Sequence, residues 1–378
     1  MTLRNINRLP SLKMPATIDR PIHLKPETMT IQQLRLQMRL CSPGFLGDAH
    51  QSSVWRTPPI KALLREWWRV AAAPDSGYEH RSLRETEGLL FGNAWLEKDA
   101  DQNSRYCKSK VRMALGHWDE GKMRKHEPIG KIDHPEAERA GRKVEPLNYL
   151  GYGPIDRGQF KNGAALQAGE TNTLDLAWPV EDADAITHTL QLIDWFGTLG
   201  GRSRNGWGSL SLGLDALTVD HAHLGAVLRE LKQCLKLDWP HALGSDSNGP
   251  LVWESANTFS DWQSAMRFLA STKIGFRTSL KFEGGGPHRQ PQERHVLAYP
   301  VTNHAVQAAD WGGNARLANQ IRFKLFSAEA NKLKARIYHT PHKSPLAIGN
   351  ISELDVWQSI HRWLDDPHNK LTRLGAKP

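Results

Sequence analysis

The sequence predicts an α+β fold that contains a ferredoxin-like strand–helix–strand arrangement, and three observations carry that reading. Leu34-Arg35-Leu36-Gln37-Met38-Arg39-Leu40 alternates strictly, the pattern of a half-buried strand. Leu174, Leu176 and Trp178 alternate in the same way and lead into a helical pattern from about Asp182 to Phe196, with Ile186, Leu190 and Ile193 on one face. A glycine-rich loop then runs into a further alternating stretch at Leu210, Leu212 and Leu214. Strand, helix, loop and strand make half of a β-α-β-β-α-β unit.

Elements before that half-unit follow from local chemistry. Residues 1–28 are polar, mildly basic and punctuated by proline, and read as a flexible basic arm. A helix opens at Pro58-Pro59, where proline is tolerated in the first turn, and runs from Ile60 to about Ala73. Ile60, Leu63, Leu64, Trp67 and Ala71 form its apolar face, while Lys61, Arg65 and Arg69 stack three cations at i, i+4 and i+8. Like charges at that spacing repel, so the stripe suits an overlying anion, with a solvated basic face as the other reading. Arg56 stands at the helix entrance. Ser82-Leu83-Arg84-Glu85 fits a capping box for a second helix that ends near Phe91-Gly92. Residues 97–145 are irregular, rich in both charge signs, and read as an insertion.

The loop at 197–208 is the densest signal in the chain, with Gly197, Gly200, Gly201, Gly206 and Gly208 around Arg202 and Arg204. Glycine reaches φ > 0 without steric cost, successive N–H groups in such turns form anion-binding nests, and guanidinium groups grip phosphate. The order, helix into loop into strand, is the reverse of a Walker or dinucleotide loop. An ordinary helix C-cap followed by a strand is the competing explanation. Trp68 and Trp207 read as core aromatics, with stacking on an unpaired base as their other possible role.

Beyond a boundary near 215–221, helices are expected at 222–236, at 259–270 and around Val356, Ile360, Trp363 and Leu364. Strands are expected at 273–282, 295–303, 316–326 and 332–340, the last two as a hairpin with Lys332, Lys334 and Arg336 on one face. That basic face is either a solubilising edge or a contact surface. The domains are therefore 29–218, holding the insertion and the glycine loop, and 219–378.

Composition narrows the function. The chain has 378 residues and a net charge of +9, which favours an anionic partner such as RNA or DNA. Three scattered cysteines without a C-x-x-C argue against a disulfide scaffold or a zinc site. No apolar run approaches a membrane span and the start lacks an apolar secretory segment, so the expectation is a cytoplasmic protein with no membrane partner. No metalloprotease, nucleophile-elbow or paired-carboxylate pattern is present, which leaves no catalytic, metal or cofactor site to name. Seventeen histidines invite a metal-independent nuclease reading, but none has a local partner pattern.

Three segments together resemble one family. G-T-L-G-G-R-S-R-N-G-W-G-S-L, from Gly197 to Leu210, resembles the glycine-rich signature of the RAMP superfamily of CRISPR-associated proteins. W-R-T-P-P-I-K-A-L-L-R-E-W-W-R, from Trp55 to Arg69, is similar to the N-terminal motif of the first-subunit family of type III-B (Cmr) effector complexes. S-L-R-E-T-E-G-L-L-F-G, from Ser82 to Gly92, resembles the helix that follows it there. The segment departs from that pattern at Ala62, and the loop departs at Thr198.

The resemblance implies two ferredoxin-like (RAMP/RRM-like) domains with insertions. It also implies a non-catalytic subunit of a ribonucleoprotein whose partners are CRISPR RNA, target RNA and other Cas subunits. Its RNA-binding residues would be Arg56, Lys61, Arg65, Arg69, Gly200, Gly201, Arg202, Arg204 and Gly206. A RAMP endoribonuclease that processes CRISPR precursor RNA, and a mainly architectural subunit, are the alternatives.

Overall fold

The computed structural model describes residues 30–94, 107–137, 141–156, 158–161, 163–214 and 221–375. The predicted arm at 1–28 and most of the predicted boundary near 215–221 lie outside the described residues.

The first half opens with β1 (Ile31–Leu40), α1 (Thr57–Ala72) and α2 (His80–Phe91). Then come β2 (Arg112–Leu115), the short pair β3 (Ile132–Asp133) and β4 (Lys143–Val144), α3 (Pro146–Gly151), and a second short pair, β5 (Ile155–Asp156) and β6 (Gln159–Phe160). It closes with β7 (Thr171–Pro179), α4 (Ala183–Phe196) and β8 (Leu210–Ser211). The sheet order is β2-β7-β1-β8, antiparallel throughout, with Leu36 opposite Leu174 and Leu34 opposite Leu176. The predicted insertion at 97–145 is therefore not wholly an insertion, since β2 is an edge strand of the main sheet. Four residues of mixed polarity carry too little periodicity to announce a strand. The capping box at Ser82 is corrected too. Glu79 caps α2, accepting from the N–H groups of Arg81 and Ser82, because its carboxylate reaches two open donors of the first turn.

The second half holds α5 (His221–Gly225), β9 (Leu228–Glu230), α6 (Leu231–Cys234), β10 (Leu243–Asp246) and β11 (Gly249–Pro250). After them come β12 (Val252–Ser255), α7 (Trp262–Ser279), β13 (Ile321–Ser327), β14 (Leu333–His339), α8 (Glu353–Asp365) and β15 (Leu371–Arg373). Its main sheet runs β13-β14-β12-β15, again antiparallel throughout. Numbered within each half, both sheets have the order 2-3-1-4, with helices between the first and second strands and between the third and fourth. The helix expected at 222–236 is broken in two by β9. The strand expected at 273–282 is the second half of α7. Gly275 lets that helix continue against Trp363, whose ring would stand 2.3 Å from a Cβ at that position. A short 3-10 turn, Glu293–Val296, replaces the start of the strand expected at 295–303.

The halves are joined through the end of α4. The last carbonyls of a helix have no intrahelical partner, and burying them requires donors from elsewhere. Lys324 Nζ donates to the carbonyls of Ile193 and Asp194, Arg336 donates to that of Trp195 at 2.7 Å, and the Tyr338 hydroxyl donates to that of Phe196 at 2.7 Å. The three donors share one face of the β13–β14 hairpin, where Lys324 lies opposite Arg336. The basic hairpin face is therefore split: Arg336 is buried against the first half of the same chain, Lys334 pairs with Glu254, and Lys332 stays exposed at the hairpin end.

Burial drives the Lys324 pKa down to about 7, against the ordinary lysine value of 10.5. The unfolded chain then binds more protons than the folded one between pH 7 and 10.5, so stability rises with pH across that window, by at most about 1.4 kcal/mol per unit. Urea unfolding from pH 7 to 9 is expected to show this rise in the wild type and a flatter dependence in Lys324→Met. Equal slopes in the two proteins would refute the assignment.

Candidate nucleic-acid interface

The glycine loop is tightly built. Gly200 has φ +84°, and a Cβ there would meet the Phe45 carbonyl oxygen at 2.4 Å, while the Gly201 N–H donates to the same oxygen at 2.9 Å. Gly206 has φ +87° and lies against Met266 and Leu269 of α7. Arg202 adopts the left-handed region at φ +56°, where side chains other than glycine are uncommon. The N–H groups of Arg202, Ser203 and Arg204 donate to no described residue, while Asn205 and Gly206 donate back to the carbonyls of Arg202 and Ser203. Consecutive open donors in this conformation suit an anion.

Asn205 fixes the loop to its surroundings. Its Nδ2 donates to the Leu150 carbonyl at the end of α3, and its Oδ1 accepts from Lys273 Nζ on α7, both at 2.7 Å. The Phe323 N–H of β13 donates to the Arg204 carbonyl at 3.1 Å. The loop therefore sits where α3, α7 and β13 meet.

A cleft of about 1310 Å³ opens there, bounded by the loop, the stretch from Lys143 to Tyr152, α7 and the segments 298–302 and 316–319. Lys131, Lys143, Arg202, Arg204, Lys273, Arg277 and Arg316 line it, with Glu145 as the one acid among the described residues. The guanidinium groups of Arg202 and Arg204 make no hydrogen bond or ion pair with any described residue. Burial lowers the pKa of both, and for Arg204 the neighbouring Arg322 adds to the effect. Lys273 is crowded by protein yet still borders the cleft. That crowding, with Arg277 and Arg202 nearby, drives its pKa well below the lysine value. Arg277 is held by the Tyr149 hydroxyl at 3.1 Å. Cations gathered with so little compensation create a focused positive potential.

Arg202 and Arg204 face this cleft with Gly200, Gly201 and Gly206 shaping the loop, but the α1 cations do not join them. Arg65 and Arg69 share the buried carboxylate of Glu87 on α2, at 2.6 and 2.9 Å. The anion over the stripe is thus supplied within the protein, and it locks α1 to α2. Arg56 donates to the Gly47 carbonyl at 2.7 Å, and Lys61 is half-buried beside Arg65. Glu66 pairs with Arg322 of β13. Trp68 and Trp207 are buried, which removes them as stacking surfaces.

Lys273 and Arg277 were missed because the alternation around Ile274 and Phe276 imitates a strand, whereas in a helix these cations are one turn apart on one face. The histidines expected to be isolated are partly gathered: His288 and His304 are bonded ring to ring at 2.8 Å, with His295 against them and Phe282 stacked on His304. Among the described residues no histidine lines the cleft.

Residues 40–211, from the end of β1 to β8, match the RAMP superfamily model. That match bears out the superfamily resemblance carried by the glycine loop. No curated protein matches the chain by sequence. Among solved structures, the apo crystal structure of Cmr1 from Pyrococcus furiosus is similar at 13% identity and TM-score 0.43, covering 91% of this chain and 98% of that one. A chain of the cryo-EM structure of the type III-B Cmr-beta bound to cognate target RNA is similar at 11% identity and TM-score 0.49, covering 88% and 99%. A further Cmr-beta structure, bound to cognate target RNA and AMPPnP in the presence of single-stranded DNA, gives 12% identity and TM-score 0.45, with 87% and 97% covered.

Gly200→Ala places a Cβ against the Phe45 carbonyl in a backbone conformation that L-residues avoid. A loss of about 2 kcal/mol or more is expected in urea unfolding. Wild-type stability would show that the loop relaxes freely.

Proposed function

We propose that this chain, which carries a RAMP superfamily segment at 40–211, is a non-catalytic RNA-binding subunit of a type III CRISPR ribonucleoprotein effector. In this reading each half is a ferredoxin-like domain, as the shared strand order 2-3-1-4 supports. The cleft between the halves holds the backbone of guide or target RNA, and the chain works beside other Cas subunits in the cytoplasm.

One observation carries the proposal: among the described residues seven cations and one acid line the cleft, and neither Arg202 nor Arg204 forms an ion pair there, Glu66 acting on Arg204 only from beyond hydrogen-bond reach while it pairs with Arg322. Elsewhere the chain pairs its buried arginines. Arg336 meets Glu254, Arg294 meets Glu136, and Arg373 meets Asp246 and Asp365. Unpaired cations beside open backbone N–H groups are the complement of phosphate. Contacts of this kind supply affinity and salt dependence, while base pairing within the ribonucleoprotein reads sequence. The α1 stripe, already neutralised in part by Glu87, takes at most a secondary role through Lys61 and Arg56.

RNA binding measured across a salt series tests this reading. Arg202→Ala/Arg204→Ala is expected to weaken single-stranded RNA binding by about ten-fold or more and to reduce the log–log salt slope by about 1.4, the value for two lost phosphate contacts. The RNA should remain intact in the same gels. Wild-type affinity in the double variant would refute the cleft assignment, and metal-independent cleavage would favour a nuclease.

A further inference from the structure

Among the described residues eight tryptophans are completely enclosed and Trp68 is nearly so, whereas Trp118 stands 56% exposed away from the cleft lining. Tyr152 is the exception at the cleft, which it lines while standing 73% exposed.

Its position is constructed by neighbours on every side. Glu145 caps α3 by accepting from the Asn148 N–H at 2.6 Å, and Asn205 of the glycine loop binds the Leu150 carbonyl near the other end. Gly151 lies so close to Ile155 and Trp207 that no side chain fits there. Gly153, at φ +112°, leaves room for Arg202, whose Nη2 would stand 3.0 Å from a Cβ at that position. Pro154 packs against Gly201. The corner Tyr152-Gly153-Pro154 is therefore docked on the loop, with its ring near enough to Arg202 for the two to interact electrostatically.

We propose that Tyr152 is a stacking platform for an unpaired base, which makes single-stranded RNA, and not duplex, the ligand of the cleft. This rests on the reading of the cleft as an RNA site. A base inside a duplex is already stacked on both faces, whereas an unpaired base offers a free π-face to an exposed ring. Arg202 beside the ring then engages the phosphate of the nucleotide whose base is stacked. Energetically, the backbone that carries the ring is already held by α3 and the loop, so binding a base orders only the side chain.

The test uses the full chain with three probes: a short single-stranded oligoadenylate, the same strand annealed to oligouridylate, and an abasic strand of equal length. Binding is read by fluorescence anisotropy. The wild type should prefer the single strand to the duplex. Tyr152→Ala should weaken oligoadenylate binding by about ten-fold and leave the duplex and abasic strands unchanged, while Tyr152→Phe, which keeps the ring, should stay within about two-fold of wild type. Equal affinity of Tyr152→Ala and wild type for oligoadenylate would overturn the platform. So would an equal loss on all three probes, or a Tyr152→Phe defect as large as that of Tyr152→Ala. Arg202→Ala/Arg204→Ala, measured alongside, separates the two readings. Loss there with none at Tyr152 removes only the platform, and no loss at either removes the cleft as well.

Discussion

Everything near the cleft depends on how α4 ends. Its last four residues, Ile193 to Phe196, present carbonyls at the centre of the molecule, and Lys324, Arg336 and Tyr338 of the second half satisfy all four. The guanidinium of Arg336, a cation at the helix C-terminus, also complements its dipole. The pairing forces the β13–β14 hairpin onto the first half in a single register, because a one-residue slip would turn these donors to the opposite face. The glycine loop begins at the very next residue, Gly197, so the anchored helix end also fixes where Arg202 and Arg204 emerge.

Placement of charge follows from the same logic. A buried cation costs free energy unless an acid or a carbonyl meets it, and removing its partner is costlier than never having buried it. Arg322 has Glu66, Arg336 has Glu254 and a carbonyl, and Lys324 has two carbonyls. The cleft departs from that pattern: burial holds the Lys273 pKa well below the ordinary lysine value, and the neighbouring charges of Arg277 and Arg202 add to the effect. Such an arrangement is less stable alone than with an anion present. A fold that pairs its buried arginines with acids elsewhere gives these cleft cations at most neutral partners, Asn205 for Lys273 and Tyr149 for Arg277.

Much of the fold was legible because it rests on local pattern. Strict alternation announced β1 and β7, the Pro58-Pro59 start announced α1, and the Gly197–Gly208 density announced the loop. What sequence could not give was pairing across distance. Glu87 lies 22 residues beyond Arg65 and 18 beyond Arg69 with nothing local to link them, and only the packing of α2 on α1 makes it their shared partner. The same limit hid Lys273 and Arg277. Their alternating neighbours satisfied a strand pattern, and the deciding contact, Trp363 lying on Gly275, joins residues from α7 and α8. Of the site, the two arginines were readable from glycine chemistry, while the cleft around them was not, since it is built from the insertion, α7 and the 298–319 region together.

Tyr152 shows how the end of the insertion and α3 build the site together. The charged, irregular segment 97–145 contributes Lys131, Lys143 and Glu145 to the cleft wall, and α3 and the turn after it add Tyr149 and Tyr152. The wall is held there by backbone-directed bonds: Arg267 of α7 donates to the carbonyls of Ile129 and Lys131, and Asn205 donates to that of Leu150. Bonds to main-chain carbonyls constrain the path of the segment while leaving its side chains free to vary. The wall can thus keep a defined path where its sequence shows no periodicity, and the regular elements, α7 above all, are the frame that places the irregular segment in space.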